Sequence, residues 1–337
     1  MLMTLGGLLV EMKEFNILFT SAGRRVALIR HFRKTLSELG LCGKIVVTDA
    51  QKTAPASFIA DHALVVPRVN HPDYIAVLLQ TCKDYNIRLI IPLIDTELSL
   101  LAKFKEQFEY AGITVLVSSE EVNEICFDKR NTNRFFANIG VNAPHTYTCE
   151  ELTEPAIQFP LFLKPATGSC SIGATKIHNV KELDFFKEYI NNPIIQDCVV
   201  GEEYTVDVLV DFAGKVRSVI PRLRLETRAG EVSKGITVKN RDIIAQTKKV
   251  VEALPGAVGC ITVQCFLTRD NEIMFIEINP RFGGGHPLSL EAGANFPRWI
   301  IQMLLGVNPD IDVDTWEDGV AMLRYDDAIF VKREDLI

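Results

Sequence analysis

Between residues 15 and 118 short apolar runs alternate with helical patterns. NILFT (16–20), KIVVTDA (44–50), ALVVP (63–67), RLIIPL (88–93) and ITVLVS (113–118) read as strands. RRVALIRHFRKTLSELG, closed by Gly40, reads as a helix, as do residues 72–85 and 96–110. Strands this rich in Val and Ile are covered on both faces, and the helices between them supply the cover. The pattern predicts a parallel, doubly wound α/β sheet.

The character changes at residue 119. SSEEVNEICFDKRNTNRFFANIG predicts two short helices stopped by Gly140. FPLFLKPA (159–166), PIIQDCVV, EEYTVDVLVD and KVRSVIPRLRLE read as strands, with DFFKEY helical among them. A helix over 240–254 leads into GCITVQCFLTRDNEIMFIEINP, a hairpin. FPRWIIQMLLG is a further helix and AMLRYDD a terminal strand. The second part is therefore α+β with antiparallel sheets. The expected division is a tail over 1–14, a domain over 15–118, a domain over 119–325 and a tail over 326–337.

With 337 residues, 47% of them hydrophobic, the chain has core enough for two or three lobes. A net charge of -7 excludes a broad basic nucleic-acid footprint. The eight cysteines include no CxxC and lie mostly in apolar or helical stretches, which indicates reduced, packed thiols and a cytoplasmic protein. MLMTLGGLLVEMKEF has no basic leader and too short an apolar run to span a bilayer. Met12 opens MKEFNILFTSAGRR like a natural start, so residues 1–11 read as an upstream extension or loose tail. No other stretch reaches membrane-spanning length, and no membrane partner is expected.

The hairpin carries the most chemistry. A turn centred on Asp270–Asn271 pairs Arg269 with Glu272, Leu267 with Met274 and Gln264 with Glu277. Asn279, two residues on, shares the face of Glu277. Three oxygen ligands thus converge, with Val263, Cys265, Ile276 and Ile278 expected on the apolar side. Hard oxygen donors suit Mg²⁺, which completes its shell with phosphates and water. Arg281 and the glycines of GGGHP follow at once, a setting for phosphate.

Two further motifs are weaker alone. In FLKPATGSCSIGATKI, Lys164 on an apolar strand needs an anion or must snorkel, and Gly168, Ser169, Ser171 and Gly173 let backbone N–H groups approach an anion. This is not a P-loop: Ala174 follows Gly173 and the lysine precedes the loop. A glycine-rich hairpin with a snorkelling lysine reads equally well. In IIQDCVVGEEYTVDVLV, Gln196 and Asp197 end one strand and Glu203 opens the next. Such a junction suits an adenine edge and ribose hydroxyls, yet a turn with solvated acids is the stronger reading in isolation.

Taken in this order, the three motifs resemble the ATP-grasp superfamily of carboxylate–amine ligases. They are most similar to the synthetase halves of the carbamoyl-phosphate synthase large subunit and to small stand-alone ligases of that kind, over residues 15–325. The resemblance implies an α/β, Rossmann-like pre-ATP-grasp domain followed by an α+β ATP-grasp domain, with a small lid-like subdomain near 160–205. By motif position, Lys129 and Lys164 would contact ATP phosphates under the loop of Gly168, Ser169, Ser171 and Gly173. Gln196, Asp197 and Val199 would take adenine and Glu203 ribose. Gln264, Glu277 and Asn279 would hold two Mg²⁺ ions, with Mn²⁺ as a substitute. Arg281 would steady an acyl phosphate, and Lys234, in a mobile loop RAGEVSKGITV, would close over the γ-phosphate. Arg24, Asp95, Glu97, Gly284 and Gly285 form the substrate side, although helix capping accounts as well for Asp95 and Glu97. His286 is most simply a loop residue.

The implied activity joins a small-molecule carboxylate to an amine, releasing ADP and phosphate. The alternatives are a small-molecule kinase of the same fold and a nucleotide-binding protein without turnover. A nicotinamide-dependent dehydrogenase fits only the first domain, and FTSAGRR lacks GxGxxG. The chain has no glutaminase domain or second synthetase half, so it is not a complete carbamoyl-phosphate synthase. Dimers are common in the superfamily; the sequence leaves the assembly open.

Overall fold

A computed structural model describes residues 2–5, 8–11, 14–153, 157–169 and 171–336. It divides into two units: Met1–Ser118 with Asn295–Asp310 and Tyr325–Ile337, and Ser119–Ala294 with Ile311–Arg324. At the N-terminus β1 (Leu2–Leu5) and β2 (Leu8–Glu11) pair antiparallel, where a loose tail was expected.

The first unit runs β3 (Asn16–Thr20), α1 (Val26–Glu38), β4 (Ile45–Asp49), β5 (His62–Val65), α2 (Tyr74–Asp84), β6 (Ile87–Pro92), α3 (Asp95–Lys103), α4 (Lys105–Tyr110) and β7 (Thr114–Val115). The sheet order is β5-β4-β3-β6-β7, every pair parallel. Central β3 is buried at all of its positions, as its unbroken apolar run requires. The helix expected over 96–110 is interrupted at Phe104.

The second unit opens with α5 (Glu120–Phe127) and α6 (Lys129–Asn138). Ser119 Oγ accepts from the Val122 N–H and caps α5. Asp128 caps α6 in the same way through the Arg130 N–H. Gly140 ends α6 at φ +64°. A small antiparallel sheet follows: β8 (Leu161–Pro165), β9 (Thr175–Ile177) and β10 (Pro193–Asp197), in the order β10-β8-β9, with α7 (Val180–Tyr189) beside it. This subdomain has a core of its own around Leu161, Leu163, Ile177, Leu183 and Ile195, joined by Tyr147 and Ile157.

The large sheet holds β11 (Gly201–Val210), β12 (Val216–Arg228), β13 (Glu231–Thr237), β14 (Gly259–Thr268), β15 (Ile273–Asn279) and β16 (Ala321–Leu323), in the order β15-β14-β11-β12-β13-β16. Helix α8 (Arg241–Glu252) and the short α9 (Pro287–Glu291) complete the unit. RAGEVSKGITV is not a loop: Ala229 and Gly230 form a tight turn, both at positive φ, and Glu231–Thr237 is strand. Helix α10 (Phe296–Leu304) falls in the first unit, where α1 touches it and Arg298 reaches Glu38 at 3.4 Å.

Seven described cysteines are free thiols, four of them buried; Cys170 lies outside the described residues. Among the described residues no helix is long and apolar enough to cross a membrane.

Candidate functional site

The β14–β15 hairpin pairs Gln264 with Glu277 and Thr262 with Asn279. It reaches that register by a route the sequence did not reveal. The turn is one residue longer than the Arg269–Glu272 pairing requires: Thr268 N–H donates to Glu272 O, closing a loop over 269–271, and Asn271 sits at φ +61°. Leu267 therefore pairs with Ile273 and Phe266 with Met274, not Leu267 with Met274. A bulge between Gln264 and Cys265 absorbs one residue of β15 and restores the pairing. The bulged residue is Ile276. It leaves the apolar face assigned to it and lines the cavity instead, while Phe275 takes the core position.

Across the sheet, Gln264 stands beside Thr205 and Thr205 beside Arg222; Thr262 stands beside Asp207. Residues 203, 205 and 207 share a face with 222 and 224 and with 262 and 264. One face of an otherwise apolar sheet is thus a polar platform. Toward one edge it holds Gln264, Glu277 and Asn279; Arg281 Nη2 reaches Asn279 Oδ1 at 3.4 Å. Glu203 lies further in, its Oε1 taking a hydrogen bond from Arg224 Nη1 at 2.5 Å. Burial raises the Glu203 pKa, and Arg224 opposes that rise.

The small sheet supplies the facing wall of a cavity of about 410 Å³. Phe162 and Lys164 alternate with the core residues Leu161 and Leu163, so they point away from that core and into the cavity. Gln196, paired with Phe162, shares their face and is held by its Nε2–H donating to Thr146 Oγ1 at 2.9 Å. Asp197 Oδ1 accepts from Tyr147 Oη at 2.7 Å. Lys129, at the start of α6, donates to Gly168 O at 2.7 Å and lies 3.8 Å from Glu277. Burial lowers the Lys164 pKa to about 8, with Glu277 pulling it back up. Gly168, Ser169 and Ser171 also line the cavity, as does Val199. Gly173, at φ +74°, packs on Pro165 and Ile190.

Lys234 is not in the cavity. It pairs across the hairpin with Glu226 at 2.7 Å, on the strand face opposite Gly235, and is half exposed. The expectation failed because its segment is strand, and the strand's alternation turns the side chain away.

The GGGHP loop is held from below. Arg222 donates from Nε to Asp207 Oδ2 at 2.7 Å and from Nη2 to Oδ1 at 3.0 Å, the two-pronged geometry of a strong pair. Ser289 Oγ donates to Asp207 at 2.6 Å and His286 Nδ1 stands 3.2 Å away. All four residues are buried. His286 is thus buried beside the Asp207–Arg222 ion pair and is not a plain loop residue. Burial acts to raise the Asp207 pKa; the Arg222 charge and His286 overcome it and hold the carboxyl below the usual range. A Cβ on Gly285 would lie 2.4 Å from Arg222 Nη1 and from Val232, so close packing accounts for that glycine. Asp207, Arg222, Arg224 and Ser289 were not singled out from the sequence. For the first three the signal was there in EEYTVDVLV and VIPRLRLE, where polar or charged residues recur at every second position (203, 205, 207 and 222, 224, 226) of apolar strands.

In the first unit, Arg24 lines a cavity of about 830 Å³ with Gly23, Asp49 and Tyr74. Glu97 does not reach it. Fully buried, Glu97 accepts from Leu93 N–H at 2.9 Å, Tyr74 Oη at 2.7 Å and Ser21 Oγ at 3.1 Å, and caps the start of α3. The substrate role considered for Glu97 is therefore replaced by a structural one. Asp95, half-buried, sits in the first turn of α3.

Residues 17–116 match the PylC-like N-terminal domain and residues 126–285 the ATP-grasp domain. The chain carries an ATP-grasp domain. The platform, Lys129, Lys164 and the small sheet all fall within the matched residues. Among curated relatives, a D-alanine–D-alanine ligase of Fusobacterium nucleatum is 28% identical over 51% of this chain and 60% of its own length. A putative D-alanine–D-lactate ligase of Streptomyces coelicolor is 22% identical over 68% of this chain and 72% of its own. This chain thus spans somewhat less than two thirds of the Fusobacterium relative. The fold is that of the biotin carboxylase domain of Hydrogenobacter thermophilus 2-oxoglutarate carboxylase (TM-score 0.73, 19% identity, 93% of this chain and 74% of that one). An L-amino acid ligase from Bacillus licheniformis is also similar (TM-score 0.67, 20% identity, 88% and 75%). The match over residues 126–285 bears out the ATP-grasp domain expected from the motifs, and both curated relatives are named as ligases.

Proposed function

We propose that the chain is an ADP-forming ligase that joins a small-molecule carboxylate to an amine in the cytosol. The observation that carries this reading is one cavity lined by Gln264 and Glu277 of the large sheet, Lys164 of the small sheet and Lys129 at the start of α6. A single carboxylate flanked by the amide oxygens of Gln264 and Asn279 is a hard-donor set that fits Mg²⁺. Two ions, or Mn²⁺ in their place, would neutralise phosphate oxygens when bound.

In the proposed reaction a substrate carboxylate oxygen attacks the γ-phosphorus of ATP and ADP leaves. The amine nitrogen then attacks the acyl carbon, phosphate leaves and the amine gives up a proton. Catalysis is largely positioning and charge offset. Lys129 and Lys164 supply positive charge to the phosphates. Gly168, Ser169 and Ser171 cover them and exclude water, which would otherwise hydrolyse the acyl phosphate. Gln196 and the backbone at Asp197–Val199 take the adenine edge, and Glu203 the ribose hydroxyls. Arg281, beside Asn279, supports the acyl phosphate. Arg24 offers a cation to an anionic substrate group in the cavity it lines.

The test is Mg-ATP-dependent phosphate release, screened against amino acids and small acids taken in pairs, with products weighed by mass spectrometry. An amide product formed with equimolar ADP and phosphate supports the ligase. A stable phosphorylated product that needs no amine would replace it with a kinase.

A further inference from the structure

The guanidinium of Arg224 lies between the two halves of the platform, its side chain only 8% exposed. Nη1 donates to Glu203 Oε1 at 2.5 Å and reaches Gln264 Oε1 at 3.5 Å. Nη2 donates to Gly230 O at 3.1 Å, in the turn between β12 and β13. The group is thus fixed in its plane from both ends. Its Nε–H is buried and has no acceptor among the described residues. Arg224 lines the same cavity as Lys164 and Gln196. Buried donors are almost always matched, so an unmatched one on a cavity wall indicates a ligand oxygen.

We propose that Arg224 is a specificity-determining residue of the nucleotide site: it fixes the Glu203 carboxylate to accept from ribose hydroxyls, and it presents Nε–H to an oxygen of the bound nucleotide. The ligand class is a ribonucleoside triphosphate, preferred over its 2′- and 3′-deoxy forms. The inference rests on the nucleotide reading of this cavity but not on turnover.

The reasoning is geometric. A carboxylate free to rotate discriminates poorly, because it can turn toward water when a hydroxyl is missing. With Oε1 held by Nη1, that turn is blocked, and a missing ribose hydroxyl leaves a lone pair of the half-buried carboxylate unmatched under the nucleotide. Lysine would keep the charge but not the planar fork that grips Glu203 and Gly230 together.

The experiment measures dissociation constants of Mg-ATP and of its 2′- and 3′-deoxy analogues by calorimetry, with no carboxylate or amine present. The proteins are wild type, Arg224→Lys, Glu203→Gln and the double variant Glu203→Gln/Arg224→Met, each checked for folding by circular dichroism. The double variant buries no lone charge, so it stands in should Arg224→Lys fail to fold. Wild type is expected to favour ATP by about tenfold or more, the worth of a hydrogen bond to a charged group. All three variants should lose that preference, and the double variant should lose no more than Glu203→Gln. A purely structural role would weaken all three nucleotides equally. Selectivity kept in Arg224→Lys but lost in Glu203→Gln overturns the role of Arg224. Selectivity absent in wild type, or unchanged in every variant, overturns the ribose contact and the proposal with it. Failure of wild type to bind any of the nucleotides refutes the reading of the cavity itself.

Discussion

Replacing Asp207 by Ala tests the network beneath the glycine loop. The substitution removes two acceptor oxygens from Arg222, one from Ser289 Oγ and the partner of His286. Arg222, 1% exposed, is left as a buried charge with no counter-ion. Breaking a buried pair from one side costs about 3–5 kcal/mol. For a unit of 150–250 residues each kcal/mol moves the melting temperature by about 2–4 °C. The second unit should therefore melt about 6–20 °C lower, read by calorimetry. The double variant Asp207→Leu/Arg222→Met removes both charges and should recover most of the loss. The pH dependence has a definite sign. The Asp207 pKa is depressed in the folded state, so its stabilisation is present above the ordinary carboxylate range and is lost only as pH falls through the lower folded value. The gap between wild type and Asp207→Asn should hold from pH 7 down to pH 4. A single variant that melts within about 3 °C of wild type, or a double variant as unstable as the single, would refute the reasoning.

Glu277→Ala should abolish ADP formation while leaving the melting temperature nearly unchanged, since its contact with Lys129 is a loose 3.8 Å; unchanged turnover would sink the assignment. Affinity for Mg-ATP should weaken as pH rises through about 8, where Lys164 loses its proton, and Lys164→Arg should flatten that profile in calorimetric titrations from pH 7 to 9.5. The linked stability runs the other way: the unfolded chain holds this proton more tightly, so folding gains as pH climbs above about 8. Gly285→Ala should cost about 1–3 kcal/mol, because the added methyl meets Arg222 and Val232 at 2.4 Å; denaturant titration reads it, and a stability equal to wild type would show that the loop shifts freely.

Much of this was legible in the residues. Parallel strands announce themselves by continuous apolar runs, and Asn16–Thr20 and Ile45–Asp49 lie where NILFT and KIVVTDA placed them. The match of Gln264 to Glu277 followed from counting outward from a turn. Two errors cancelled there: the loop takes one more residue from β14, and the bulge takes one from β15. Counting cannot see a bulge, so Ile276 was sent to the wrong face. Lys234 was placed by resemblance to a mobile loop, whereas Ala229 and Gly230 form the whole turn and residue 234 already lies in strand. The Asp207–Arg222 pair was hidden differently. The partners sit in different strands, and only the alignment of β11 with β12 brings them together across 15 residues of chain. The substrate side stayed least legible, since Glu97 has the sequence of a helix cap and acts as one.

The placement of α10 bears on how the protein is made. The first unit is written in pieces, and Asn295–Asp310 arrives after the whole of 119–294. A ribosome thus delivers the α/β sheet early but withholds the helix that α1 touches until the antiparallel sheet has almost left the exit tunnel. During that interval the N-terminal sheet exists without Phe296, Ile300 and Ile301, all of which are buried in the finished protein. Synthesis order therefore sets the unit that begins first to be the one that closes last.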